Sequence, residues 1–538
     1  MAMFRWINAY SVRGPLTRTL PYLAQKELRL DCMRNRSYTA MVDVSTPSMA
    51  ATTTATSPFQ RIPLEVLLRI TYFLTTPELG NVRLTCRSIE QALYTTFTNE
   101  FFTRKQFMIS ETSLQALIDI SKSRLSPHLR KVHFGLDRFA HALQVHGHNA
   151  RTARQMELYN GQFSLLSTGY HRDMLVEAFK NLENLEDVVI RDFNSVRRTR
   201  DGPGKHWTSY GSTTALRETG SRPGQNSGMA WGPDTSTAYG STIFTSVLFA
   251  LGQAGAKPKG IEHMSHSRNH LRDCAFNIPS YMEASVTPVL ENLEKLHIDI
   301  DLLGGSDFSS DDAAGHSSTA DMMLRKFLLK LKNVKHLRIN ETHSSVTGPG
   351  MLLGWLGREN TPLSMPPVNP SSAPGSPLAP PEPSPEYDRL EELNFGMMNV
   401  EPQHLLAVAR KFAPTLKRLE LHKVTLRRRL PDGHSGTLPK MSFWNKFLEK
   451  LKDIPNLDLH HIKISFPQQQ WASRPTRSFV TFEGQKESVK QYTGTDWKYF
   501  VGHEMMPKIS VQWPSEDTSA DEDDDDDVSD DEDDEDVE

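Results

Sequence analysis

Residues 62–87 read IPLEVLLRITYFLTTPELGNVRLTCR, and their spacing predicts two consecutive helices. Apolar residues recur every four positions in the first half, as on one face of an α-helix: Ile62, Val66, Ile70 and Leu74. Thr76 and Pro77 form an N-cap and first-turn pair that opens a second, short helix. A third stripe follows at Ile89, Leu93, Phe97 and Phe101. The sequence therefore predicts three amphipathic helices over residues 58–103.

This helical segment resembles an F-box. The F-box pattern is Leu-Pro-x-Glu-hydrophobic-Leu, a Pro-x-x-Leu turn and a Val-Cys-Arg third helix. The residues that match it are Pro63, Glu65, Leu74, Leu79 and Cys86, while Ile62 and Thr85 stand where the pattern has Leu and Val. The resemblance implies that the helices insert into a Skp-type adaptor, which hangs from the cullin scaffold of a ubiquitin ligase. The implied adaptor-binding residues are Ile62, Pro63, Glu65, Val66, Ile70, Leu74, Leu79, Val82 and Cys86. The alternative is that the segment is the first hairpin of a larger all-α domain.

A second pattern, L-x-x-L-x-L, recurs between residues 105 and 466. It occurs as LRKVHF (129–134), LEDVVI (185–190), LEKLHI (293–298), VKHLRI (334–339), LEELNF (390–395), LKRLEL (416–421) and LHHIKI (459–464). Amphipathic segments precede several of these motifs, and a repeated helix and short strand is the unit of a leucine-rich-repeat-like solenoid. F-box proteins often carry such repeats as the substrate receptor, so this inference rests on analogy.

The predicted fold class is α+β and multi-domain, with an F-box-like module followed by an irregular α/β solenoid. The predicted segments are a disordered leader (1–57), the helical module (58–103), the repeat-like receptor region (105–466), a cap of short strands (467–514) and an acidic disordered tail (515–538). Disordered insertions are predicted at about 198–240, 304–320 and 361–386, the first rich in glycine and the last in proline. The leader is also Arg-rich and poor in acids, so a transit peptide is the alternative there.

The charge distribution is asymmetric. The net charge is −4, but residues 516–538 hold 17 Asp or Glu and no Lys or Arg, and the remainder has 61 basic against 48 acidic residues. A basic body favours the rival function of a chromatin or nucleic-acid binder, with basic clusters at 197–200 and 427–429. Against it, the basic residues are scattered among acids. In the tail, Thr518, Ser519 and Ser529 each have an acid three residues on, which suits an acidophilic kinase.

Catalysis, cofactors and metals are not expected. No phosphate-binding, nucleophile-elbow or HExxH motif occurs. His263, His266, His270 and Cys274 would follow one helix face, which cannot converge four ligands on one ion. Three separate cysteines fit a reducing compartment, and the longest apolar stretch, 243–251, is well below the ~18 residues of a membrane span. We expect a soluble protein of the cytosol, the nucleus or both.

The x positions of the strand motifs predict a substrate-binding surface. In a leucine-rich-repeat-like stack they would share the concave sheet face. The candidates are Lys335, His336 and Arg338, then Glu391, Glu392 and Asn394, then Lys417, Arg418 and Glu420. Such a face would be striped in charge and would favour a protein partner over a uniformly charged nucleic acid. The alternative is that these are ordinary solvated positions and that loops carry recognition.

Overall fold

A computed structural model describes residues 58–139, 150–194, 200–202, 207–224, 233–266, 269–302, 321–341, 349–360, 383–429, 439–472, 476–484 and 488–513. These residues fall into two compact units. The first lies within 58–184 and 194–224, and the second within 185–193 and 233–513. The predicted leader (1–57), the 304–320 insertion and the tail (515–538), with its three candidate phosphorylation sites, lie outside the described residues.

The first unit begins with the helical module. After a 3-10 turn at Pro58–Arg61, its helices are α1 (Leu64–Tyr72), α2 (Thr76–Arg83), α3 (Arg87–Ala92) and α4 (Tyr94–Phe102). Two details differ from the sequence prediction. The N-cap of α2 is Thr75, because its backbone N–H and hydroxyl both donate to Glu78 at 2.8 Å in a capping box. The third predicted helix is two short helices that meet at Leu93.

The module has a small core of its own. Leu67 of α1 and Leu79 of α2 are buried, as is the third predicted stripe, namely Ile89, Leu93, Phe97 and Phe101. Phe97 and Phe101 pack with ring centroids 5.0 Å apart. The stripe predicted from the apolar spacing therefore forms the interior of the module, even though the helix that carries it is broken.

The rest of the first unit alternates strands and helices. Its elements are β1 (Arg104–Met108), α5 (Glu111–Ser121), β2 (Lys131–Gly135), α6 (Ala150–Ser167), α7 (Tyr170–Phe179) and α8 (Ser212–Thr219). β1 and β2 are parallel, with Arg104 opposite Lys131. Helix α8 corrects the sequence prediction that residues 198–240 are a disordered insertion. Its ends are set by Gly211 and Gly220, both with positive φ.

The second unit is built on parallel strands joined by helices. Its strands are β3 (Asp187–Arg191), β4 (Gly260–Met264), β5 (Lys295–Ile300), β6 (His336–Glu341), β7 (Glu392–Gly396), β9 (Arg418–His422), β11 (His461–Ser465) and β14 (Val489–Thr493), which neighbour one another in that order. All are parallel except β14, which is antiparallel to β11. The helices are α9 (Pro233–Ala254), α10 (Ser280–Asn292), α11 (Met322–Leu328), α12 (Pro349–Leu356), α13 (Pro402–Lys411) and α14 (Phe443–Lys452), followed by the short α15 (Trp497–Phe500).

Strand alternation places the core on one side of this sheet. On β7 and β9, Leu393, Phe395, Leu419 and Leu421 are buried, and they line one small cavity together with Leu405, Val408 and Ala409 of α13 and Phe447 of α14. The intervening residues lie on the opposite side. Each of the seven L-x-x-L-x-L motifs lies on a parallel strand of one unit or the other, as the sequence predicted.

A second sheet in the same unit runs in the order β15-β13-β12-β10-β8. Its strands are β8 (Asn399–Val400), β10 (Thr425–Arg428), β12 (Gln468–Trp471), β13 (Ser478–Phe482) and β15 (Ile509–Gln512). The predicted cap at 467–514 is therefore too narrow, because β8 and β10 belong to the same sheet. The predicted insertion at 361–386 extends too far at its C-terminal end. Pro383 and Ser384 already accept hydrogen bonds from Trp355 and Asn360.

Candidate functional site

Helix α1 exposes apolar side chains on its outer side. Pro63, Val66, Ile70 and Phe73 follow one another at steps of three, four and three residues, which keeps them on one side of the helix. Val66, Ile70 and Phe73 are 49%, 41% and 70% exposed. We call these four residues the docking stripe. Large apolar side chains exposed together in this way mark interaction surfaces more often than isolated ones do.

The predicted adaptor-binding residues divide into three groups. Pro63, Glu65, Val66 and Ile70 are exposed, and Ile62, Leu74, Val82 and Cys86 are partly exposed. Leu79 is only 4% exposed and belongs to the module core, which corrects its assignment as a contact residue. Leu64, Tyr72, Phe73 and Leu84 are exposed apolar residues that the sequence reasoning missed. Counting helical steps from Pro63, rather than from Ile62, would have found Phe73.

A dipeptide distant in sequence holds the junction between α1 and α2. Arg200 donates from Nε and Nη2 to the carboxylate of Glu100 at 2.6 and 2.8 Å, and from Nη1 to the carbonyl of Leu74 at 2.8 Å. Asp201 accepts the backbone N–H and the hydroxyl of Thr76, each at 2.8 Å. A cation at the end of α1 and a carboxylate at the start of α2 both suit the helix dipoles.

We call Arg200 and Asp201 the clamp. The clamp also shows what one residue of a basic cluster binds. Arg200, the last residue of the 197–200 cluster, is only 11% exposed and is used within the first unit. Nothing in the sequence signals that role, because Arg200 lies 100 residues from Glu100 in a glycine-rich segment.

The second unit carries a polar sheet face. Every second residue of β5, β6, β7, β9 and β11 points away from the core, and the strand register aligns these residues in rows. We call the following set the polar face: Lys295, His297, Asp299, His336, Arg338, Asn340, Glu392, Asn394, Arg418, Glu420, His461 and Lys463. One row reads Lys295, His336, Glu392, Arg418 and His461, and the next reads His297, Arg338, Asn394, Glu420 and Lys463.

We call the polar-face residues of β7, β9 and β11, together with His336 and Arg338, its outer half. Basic side chains on neighbouring strands lie against the two carboxylates of this half. Glu392 lies 3.0 Å from His336 Nδ1 and 3.4 Å from Arg418 Nε. Burial opposes ionisation of Glu392, but these two neighbours outweigh it and lower its pKa. Glu420 lies 3.3 Å from His461 Nε2, and its pKa is lowered against burial in the same way.

The outer half also has a cation without a partner. The guanidinium of Arg338, on the central strand β6, makes no hydrogen bond or ion pair with any residue that the structure describes. Across the strands it faces His297 and Asn394, neither of which carries a negative charge.

Three predicted face residues lie elsewhere. Lys335, Glu391 and Lys417 precede their strands, and their backbones link to one another: Glu391 donates to the carbonyl of Lys335, and Lys417 to that of Glu391, each at 2.8 Å. The Lys335 ammonium lies 3.1 Å from Glu294, and that of Lys417 lies 3.2 Å from Asp458. These residues therefore form the edge of the sheet. The prediction counted both x residues after the first aliphatic position, but alternation along a strand allows only the second.

The inner half of the polar face consists of Lys295, His297, Asp299 and Asn340. Its residues are half-buried or buried, and they pair with side chains of the same or neighbouring strands. Lys295 lies 2.5 Å from Glu262 of β4 and 3.4 Å from Asp187 of β3. Asp299 accepts the backbone N–H of Ser265 at 2.6 Å and the amide of Asn340 at 2.9 Å. Burial alone would raise the pKa of Asp299, but His297 and these donors lower it to about 2. The sequence prediction did not include this half of the face. The L-x-x-L-x-L pattern does not indicate which of its polar positions are buried.

The four candidate metal ligands do not follow a helix face. His263 lies on β4, His266 and His270 lie in the loop that follows, and Cys274 lies in a 3-10 helix at Asp273–Phe276. Burial lowers the pKa of His263 to about 4, and His266 stacks on Phe193 at 3.9 Å. Across the described ranges, no group of His, Cys, Asp or Glu could hold a metal ion. The helices within those ranges are too short or too polar to span a bilayer.

No family model matches the sequence, and no curated protein matches it. Among solved structures, it matches a chain of the "Crystal structure of Rad7 and Elc1 complex in yeast". The identity is 10% and the TM-score 0.21, over 82% of this chain and 93% of that chain. A TM-score of this size supports no inference about function.

Proposed function

We propose that this chain is a non-catalytic substrate-recognition adaptor of a ubiquitin ligase. In this proposal the helical module binds a Skp-type adaptor, and through it a cullin, while the polar face binds a protein substrate. The proposal joins the F-box-like pattern of residues 58–103 to the exposure of the docking stripe.

The observation that carries the proposal is the two-sided apolar character of α1. Leu67 is buried in the module core, whereas its neighbour Val66 is 49% exposed. Ile70 and Phe73 of the docking stripe are exposed as well. Removing apolar side chains from water contributes about 25 cal/mol per Å². A partner that covers the stripe therefore gains free energy that the free chain does not realise. A few central apolar anchors of this kind dominate most protein interfaces.

The proposed substrate site rests on the charge pattern of the polar face. Its outer half places single acids, Glu392 and Glu420, among basic residues in each row, so a partner with complementary charges would be selected over a uniformly charged polymer. No partner is identified by these residues. The proposal names only the class, a folded or extended protein segment with its own alternating charges.

Affinity purification of the tagged full-length chain, followed by mass spectrometry, tests the proposal. We expect recovery of a Skp-type adaptor and a cullin with the wild type, and loss of both with Val66→Glu combined with Ile70→Glu. The control is Phe163→Glu on α6, which puts a glutamate in place of an apolar side chain that is 60% exposed in the same unit. Recovery of the adaptor with the double variant, or its absence from the wild type, would contradict the proposal.

A further inference from the structure

The second sheet of the second unit carries a cluster of arginines on one face. β10 pairs with β12, with Arg427 opposite Gln470. Extending the neighbouring registers by one residue each brings Glu401, after β8, and Arg477, before β13, to the same level. Arg429 lies two residues after Arg427 and so on the same side. We call Arg427, Arg429 and Arg477 the arginine face.

The positive charge of this face is not balanced within the described residues. Its one nearby carboxylate is Glu401, 3.6 Å from Arg429 Nε. Arg427 is only 9% exposed, and its Nε has no hydrogen-bond partner in the described part of the chain. Burial lowers the pKa of Arg427 first, and repulsion by Arg477 and Arg429 lowers it further. A buried, unpaired guanidinium beside two others is unfavourable unless an anion joins them.

The chain itself supplies an anionic segment at this place. β15 is antiparallel to β13, with Gln512 opposite Phe479. Continuing that register by one residue brings Trp513, the last described residue before the acidic segment, opposite Ser478, the residue that follows Arg477. Residues 516–538 carry 17 Asp or Glu and no Lys or Arg. A segment tethered this closely acts at an effective concentration in the millimolar range.

We propose that residues 516–538 bind the arginine face of their own chain and keep other polyanions away from it. Arginine suits this role because its planar guanidinium forms paired hydrogen bonds with carboxylates. The proposal does not depend on adaptor binding or on the polar face, since it concerns a different sheet and a different ligand. It also gives the 427–429 cluster a role other than nucleic-acid binding.

The test uses the full-length chain and a fluorescent synthetic peptide of residues 514–538 as the probe. In the first variant, every Asp and Glu of 516–538 is replaced by Asn or Gln, which keeps the length and removes the charge. We expect this variant to bind the peptide at ~50 mM salt at least about tenfold more tightly than the wild type, whose face is already occupied. The difference should fade at high salt as screening increases.

A second pair of variants locates the site. Adding Arg429→Glu and Arg477→Glu to the neutral-tail chain should weaken peptide binding by about tenfold or more. Adding Arg410→Glu instead, at an exposed arginine of α13, should leave binding within about twofold. Both altered face residues lie at the surface, so the fold is not at risk.

Three outcomes would overturn the proposal. One is equal peptide affinity for the wild-type and neutral-tail chains. Another is equal loss with the Arg410 variant and with the face variants. The third is a neutral-tail chain that binds heparin or an oligonucleotide through the arginine face but does not bind the peptide, because the ligand would then be an external polyanion.

Discussion

The docking stripe of α1 and the polar face of the second unit expose opposite kinds of chemistry. The stripe presents large apolar side chains, of which Phe73 is 70% exposed. The polar face presents charges, and its carboxylates Glu392 and Glu420 already have basic partners, Arg418 and His461, on neighbouring strands. An apolar surface gains free energy from almost any complementary cover, whereas a self-neutralised polar surface gains only when a partner replaces its ion pairs well. The comparison therefore favours a constant partner for the stripe and a selected partner for the polar face.

The largest expected effect separates the two sides of α1. Leu67→Ala should destabilise the module by about 2–4 kcal/mol, because it leaves a cavity in the core, while Val66→Ala should change its stability by less than about 0.5 kcal/mol. Hydrogen exchange of the backbone amides in residues 64–83 measures this local stability. Equal protection in the two variants would show that Val66 is buried like Leu67 and would remove the basis for a docking stripe.

A second variant tests the clamp that holds α1 against α2. Arg200→Ala removes charge-assisted hydrogen bonds to Glu100 and to the carbonyl of Leu74, and we expect a loss of about 2 kcal/mol. Arg69→Ala is the control, since this exposed arginine of α1 lies near the rings of Tyr72 and Phe73, at 5.9 and 5.2 Å, and makes no contact with α2 that the structure describes. The readout is amide exchange at the C-terminal end of α1. Unchanged exchange in the Arg200 variant would mean that the clamp does not hold the module.

Acid should weaken the buried inner half of the polar face, because Asp299 becomes protonated there. The folded-state pKa of Asp299 is lowered to about 2 from an ordinary value of 3.8. Its ionised form therefore stabilises the fold fully above pH 4, and this stabilisation, about 2 kcal/mol, is lost as the pH falls through 2. Asp299→Asn should remove that acid-dependent part while lowering stability at pH 7. Unfolding transitions recorded between pH 2 and 7 check this, and an unchanged pH dependence in the variant would contradict it.

The smallest stability effect is expected on the outer half of the polar face. Arg418→Glu should cost less than about 1 kcal/mol, because an exposed ion pair contributes little. It should nevertheless remove a subset of the proteins that co-purify with the chain. Lys417→Glu, one residue earlier at the sheet edge, is the matched control and should retain them. If both variants lose the same proteins, substrate binding does not distinguish the polar face from the sheet edge, and the assignment of the polar face as the binding surface is wrong.

Much of the strand framework could be predicted from sequence because a buried strand needs aliphatic residues at alternate positions. β1 and β4 are two parallel strands that the motif missed, and each breaks that rule at one position. In β1, Lys105 takes the middle aliphatic place and lies 5.4 Å from the ring of Phe102. In β4, His263 takes the last one and is fully buried. A polar residue at a core position hides the strand from any search for aliphatic spacing.

The candidate sites were less predictable because they depend on what each residue meets in the fold. Leu79 and Ile70 are both apolar residues of the F-box-like pattern, yet Leu79 is buried and Ile70 is 41% exposed. Helical spacing shows which residues of α1 share a face. It does not show which face packs against the rest of the module. The Arg200–Glu100 pair and the arginine face arise between segments far apart in sequence, where no local pattern records them.

Calorimetric titration of a purified Skp-type adaptor into the full-length chain measures whether the docking stripe binds that adaptor. Ile70→Ala combined with Phe73→Ala removes two members of the docking stripe, while Leu64→Ala combined with Tyr72→Ala removes two apolar residues of α1 that are similarly exposed but lie off the stripe. We predict saturable binding by the wild type, a loss of about a hundredfold in affinity for the stripe variant at roughly 1.4 kcal/mol per tenfold change, and little loss for the control. No binding by the wild type, or equal affinity in the two double variants, would contradict the account.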